Sequence, residues 1–145
     1  MSRLSIIVLA LAFSISAPAE PAPPRIDWTG FFSTLSATGM TYSEGLRKLE
    51  GKRVVLRGYA AVLPAFDGGV FLTRFQHDDP HDVDERDLPF DAVAVIWDGA
   101  VDVERVPARP SVIGTLRLGN RIVGNETVAL TLEAAQPWIE PGPRQ

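Results

Sequence analysis

The only two histidines of the chain, His77 and His81, fall in one acidic stretch with Asp78, Asp79, Asp82, Asp84, Glu85 and Asp87 around them. Imidazole nitrogens and carboxylate oxygens are the donors that zinc, manganese, iron or nickel accept. Histidines four apart share one face of a helix, but Pro80 lies between them and removes the continuous helix that this geometry needs. Convergence therefore requires a compact loop in which Asp79 or Asp82 supplies a third ligand. The candidate metal ligands are His77, Asp79, His81 and Asp82, and the candidate cofactor is a divalent transition metal, Zn or Mn. The competing reading is a solvated acidic loop in which Arg86 neutralises its neighbours and Asp82 or Asp84 makes local turns. A third is an edge that binds a ligand or partner; long loops in small domains are more often functional than short ones. Calcium is an alternative, but an EF-hand does not fit. Asp82-x-Asp84 opens like an EF-hand, but Arg86 and Asp87 replace the next ligand and the turn glycine, and Val93 stands where the bidentate acid belongs.

Other chemistries find less. With no cysteine in the chain, disulfides, thiolate metal sites, thiol catalysis and a lipid-modified cysteine are all excluded. Ser33, Ser36, Ser43 and Ser111 have no nucleophile-elbow context. Acids crowd the loop too densely to assign a glycosidase pair. Gly68-Gly69 reads as a turn rather than a phosphate cradle, and Asn125-Glu126-Thr127 is a weak glycosylation sequon that a hairpin turn explains without sugar. Tyr59 and Trp97 would stack on a ligand if exposed, but on strands this apolar burial is the expectation. Basic residues number 14 against 18 acidic ones, and no basic run is visible, so nucleic acid is not an expected partner.

The N-terminus reads as a secretory signal. Arg3 precedes a twelve-residue run, Leu4–Ile15, and Ala17 and Ala19 then occupy the −3 and −1 positions for cleavage before Glu20. As a helix that run would span about 18 Å, against roughly 30 Å of hydrocarbon, too short for a spanning anchor. The expected organisation is a signal peptide over 1–19, a proline-rich linker over 20–25, one domain over 26–139 and a flexible tail over 140–145. The expected location is periplasmic or secreted, with no stable membrane insertion after cleavage.

The elements that must position the loop are mostly strands. Arg53–Leu63 carries apolar side chains on both faces and is interrupted by Gly58, which suggests one long buried strand with a bulge or bend. Val70–Phe75 returns as its hairpin partner after a turn at Asp67-Gly68-Gly69. Ala92–Trp97, Ser111–Leu118 and Thr127–Ala134 complete five strands, with turns at Gly119-Asn120 and Gly124-Asn125. Ahead of them, Thr41 and Glu44 fit a capping box for a helix over Tyr42–Glu50 that Gly51 closes. Asp27 can cap a shorter helical segment in which Trp28, Phe31, Phe32 and Leu35 recur at helical spacing. Pro107 and Pro110 exclude a helix before the fourth strand. Trp138 and Ile139 are expected to dock on the core. Five short strands with internal glycines fit a small five-stranded OB-like Greek-key barrel with one or two N-terminal helices.

Trp28, the run Leu49-Glu50-Gly51-Lys52-Arg53-Val54-Val55-Leu56-Arg57-Gly58-Tyr59, Phe71-Leu72-Thr73 and Val93-Ala94-Val95 carry a likeness. Over about Ile26 to Ile139, with a Gly-Lys-x-Val-x-x-x-Gly-Tyr strand signature, the chain resembles a family of exported bacterial proteins known only as a domain of unknown function. That resemblance implies an OB-like barrel and an exported location, and no reaction. Many relatives carry cysteine and a proline-rich element in the loop after the second strand, where this chain has Gln76–Asp87. The sequence thus points to an exported binding or accessory module of the cell envelope, with an envelope protein or small ligand as partner. A metal-dependent enzyme or metal-handling protein using His77 and His81 is the alternative.

Overall fold

The computed structural model describes residues 21–37, 39–64 and 69–142; the expected signal peptide lies outside them. Among the described residues eight strands form two sheets. The smaller is a hairpin of β1 (Phe32–Ser36) and β2 (Gly39–Tyr42). The larger contains β3 (Arg53–Arg57), β4 (Tyr59–Leu63), β5 (Gly69–Thr73), β6 (Val93–Trp97), β7 (Ser111–Val123) and β8 (Glu126–Pro137). Its order is β3-β7-β8-β6-β5-β4, with β6 and β8 parallel and every other pair antiparallel.

This corrects the five-stranded OB-like barrel. The organising stretch is not one strand: it divides at Gly58 into β3 and β4, which lie at opposite edges of the sheet, and no ladder joins them to close it. Loops cover those edges instead. On β3, Val55 N–H donates to Pro24 O at 2.9 Å and Val55 O accepts from Ile26 N at 3.0 Å. On β4, Ala60 N donates to Ala108 O at 2.9 Å, Val62 N donates to Pro80 O at 2.7 Å, and Val62 O accepts from Val83 N at 3.1 Å. Paired in this way, neither edge is left as a template for another chain.

The hairpin β1–β2 was hidden by spacing. Trp28, Phe31 and Phe32 imitate a helical stripe, but only a 3-10 turn forms, Trp28–Gly30, capped by the Asp27 carboxylate. Helix α1 is shorter than expected, Glu44–Leu49, and Ser43 caps it by accepting from Leu46 N. Thr41 and Tyr42 belong to β2, where the aromatic residue suits a strand better than a helix start. The Tyr42 hydroxyl donates to Ala129 O at 2.7 Å and accepts from Gly119 N at 2.9 Å, fastening the small hairpin to β7 and β8. Gly119-Asn120 is therefore no turn. It lies in a register shift inside β7, with Gly119 at φ +109, and the chain reverses at Gly124-Asn125 as expected.

Both faces of the β4–β5–β6 half are buried. Val62, Val70, Leu72, Val93 and Val95 join the main core with Leu116, Leu130 and Leu132, while Ala61, Leu63, Phe71 and Ala94 form a second core with Val83 and Val128. Burial on two sides is why these strands read as continuous apolar runs.

Candidate functional site

The acidic loop between β5 and β6 is fastened at its base. Arg74, just after β5, donates from Nε to Asp91 Oδ2 at 2.7 Å, and from Nη2 to Trp28 O at 3.3 Å. Asp91 is 1% exposed, so removing this arginine would leave a buried carboxyl without its partner.

Within the loop three ligand-type side chains, those of His77, Asp79 and Asp84, are engaged with neighbours. His77 Nε2 lies 2.8 Å from Thr73 Oγ1, a hydroxyl that also lies within hydrogen-bond distance of Phe75 O at 2.9 Å and Tyr59 O at 3.4 Å. Asp79 Oδ1 accepts from His81 N at 3.0 Å, an Asx turn. Asp84 caps the 3-10 turn Glu85–Asp87 and takes a bidentate guanidinium from Arg86, at 3.0 Å from Nε and 2.8 Å from Nη2. The Arg86 hydrogen bonds, side chain before backbone, lower the Asp84 pKa to about 2. His77 is half-buried, whereas Asp79, His81 and Asp82 are exposed. His77, Asp79 and Asp82 border a shared cleft of about 340 Å³ with Asp78, Asp84 and Asp87. Among the described residues no three His, Cys, Asp or Glu side chains group as a metal site. The loop's strongest ties are architectural: Pro80 and Val83 pair with β4, and Val83 plugs the second core.

A different place gathers aromatic and apolar surface. Trp97 closes β6 before the turn at Asp98 and Gly99, with Gly99 at φ +93. Trp138 follows β8, held by donation from its backbone N to Ser111 O at 2.8 Å. Between them and the proline-bearing crossover Ala100–Pro110 lies a cleft of about 650 Å³, with Val101, Val106 and Pro107 on its wall and Ile139 at its rim. Ile139 is 86% exposed, so it does not dock on the core as the sequence suggested. Both indole Nε1 atoms, of Trp97 and Trp138, are buried with no hydrogen-bond partner among the described residues. A buried donor left unpaired costs about 1–3 kcal/mol. The third tryptophan differs, for Trp28 Nε1 donates to Arg57 O at 2.8 Å.

Sequence reasoning missed this cleft because its parts are far apart in the chain. Trp97 and Trp138 come to line one cleft through the parallel pairing of β6 with β8, including Trp97 with Ala135. The available signal was a tryptophan at each of two strand ends and the prolines of the crossover, Pro107 and Pro110.

No family model and no curated protein matches the chain. Its fold is similar to that of the crystal structure of a DUF3299 family protein from Pseudomonas aeruginosa PAO1, at TM-score 0.52 and 14% identity, covering 84% of this chain and 100% of that one. That family is an uncharacterised bacterial one, in line with the expected likeness to a bacterial domain of unknown function. At this identity the likeness concerns the fold alone.

Proposed function

We propose that the chain is an exported binding module of the cell envelope that holds an uncharged, largely apolar ligand in the cleft between Trp97 and Trp138. The observation that carries this is the cleft itself: its volume of about 650 Å³ falls within the 300–1,000 Å³ usual for small-molecule sites, and Trp97 and Trp138 line it together with Val101, Val106 and Pro107. Export rests on the leader-like Met1–Ala19 segment. The acidic loop is secondary in this reading, because among the described residues no three of its ligand-type side chains group as a metal site.

A neutral fluorescent probe, N-phenyl-1-naphthylamine, tests the cleft. Saturable binding near one per chain is expected, and Ile139→Glu, a rim change at a residue 86% exposed, should weaken it several-fold without shifting the melting temperature. Binding that never saturates, or that ignores Ile139→Glu, contradicts the reading.

A further inference from the structure

We infer that the exposed aromatic surface at the base of the acidic loop docks a partner protein through a segment that is both basic and apolar. This surface shares no residue with the cleft between Trp97 and Trp138 and does not depend on that reading. Phe75 and Phe90 stand at the two ends of the loop and are 62% and 57% exposed. They are not scattered singly. The Arg74 guanidinium lies 5.9 Å from the centre of the Phe75 ring and also bonds to Asp91, the residue after Phe90. The Phe90 ring lies 6.0 Å from that of Phe32, which lies 5.6 Å from that of Tyr42. Exposed apolar groups gathered at one place and rimmed by polar residues mark interaction sites. Because Arg74 is itself tied to Asp91 and Trp28, docking on this surface has little left to order.

Charge selects the occupant. Between the two rings the stretch from Asp78 to Asp87 holds six exposed carboxylates against one guanidinium, Arg86, which pairs with Asp84. A partner surface rich in carboxylate or phosphate, an anionic lipid surface included, is repelled by that field. Lysine or arginine instead meets carboxylates and the negative faces of the exposed rings together. Apolar side chains of the same segment then cover Phe75 and Phe90, which serve as the aromatic anchors of the contact.

Fluorescence anisotropy with three capped, dye-labelled octapeptides tests this: alternating leucine and lysine, alternating serine and lysine, and alternating leucine and glutamate. The leucine–lysine peptide is expected to bind at least tenfold more tightly than either of the others. Phe75→Ser should weaken it about fivefold and Phe75→Ser/Phe90→Ser at least tenfold, with serine–lysine binding unchanged in both; Ile139→Glu should leave all three peptides unaffected. Equal binding of the two lysine peptides overturns the inference, as does parent-like binding of leucine–lysine by both Phe variants, or no binding at all. Loss of leucine–lysine binding in Ile139→Glu but not in the Phe variants also overturns it, placing the peptide in the Trp97–Trp138 cleft and leaving that reading in force.

Discussion

Gly58→Val is expected to destabilise the fold by about 3 kcal/mol, the upper part of the range for overpacking a filled interior. Gly58 sits between β3 and β4 with no unusual φ, so conformational freedom is not what it supplies. It supplies room. A Cβ built there would lie 2.7 Å from Trp28 Cζ2, 3.0 Å from Thr73 O and 3.3 Å from Leu72 Cβ. The Trp28 ring can move only by giving up its hydrogen bond to Arg57 O, and Thr73 O is backbone of β5. Relief in one direction therefore breaks a contact in the other. For a domain of this size the loss should lower the melting temperature by roughly 10 °C. Gly58→Ala should lower it by less, since only the Cβ must be placed. Unchanged melting of the valine variant would show that Trp28 is not seated against β3 as described.

A comparable loss is expected at the base of the acidic loop. Arg74→Met removes the only ion-pair partner shown for Asp91, whose side chain is 2% exposed, and should cost about 3 kcal/mol in chemical denaturation. The lower end of the range for a broken buried pair applies because the Arg74 side chain is itself 35% exposed. The double variant Arg74→Met/Asp91→Asn should recover part of the loss, because it removes the stranded charge as well as its partner. Equal denaturation of single variant and parent would mean that Asp91 does not depend on Arg74. Loop integrity would then rest on the β4 pairings of Pro80 and Val83 alone.

Both positions show what a sequence can and cannot carry. Strand residues in the β4–β5–β6 half were legible because burial on both faces leaves uninterrupted runs such as Ala92–Trp97, and the hairpin after Leu63 was legible from its turn residues. Gly58 was legible as a special place, though the reason is a close approach of Trp28 rather than a bulge. The closed barrel was misread because nothing local distinguishes one bent strand from two strands at opposite sheet edges. That distinction lies in the long-range pairings of Arg53–Arg57 with β7 and Tyr59–Leu63 with β5. The β1–β2 hairpin was misread because Trp28, Phe31 and Phe32 have helical spacing, whereas the contacts that decide the matter are aromatic pairs such as Phe32 with Tyr42, centroids 5.6 Å apart.

The site followed the same division. His77 and His81 drew attention because their types and spacing are visible in a string of letters. The contact of the His77 ring with Thr73 and the Asx turn that Asp79 makes with the His81 backbone N–H are not visible there, and both help to shape the loop. Trp97 and Trp138 drew little attention because each alone is an ordinary apolar residue. Only the parallel β6–β8 register makes them the two sides of one cleft.

The central claim, a ligand site between those two rings, is tested most directly by the three indole N–H resonances in a ¹⁵N-labelled sample titrated with N-phenyl-1-naphthylamine. Two should shift together with the same saturation, those of Trp97 and Trp138. The third, Trp28, already donates to Arg57 O and does not line the cleft, so it should stay in place. Movement of Trp28 alone, or of none of the three, would contradict the account.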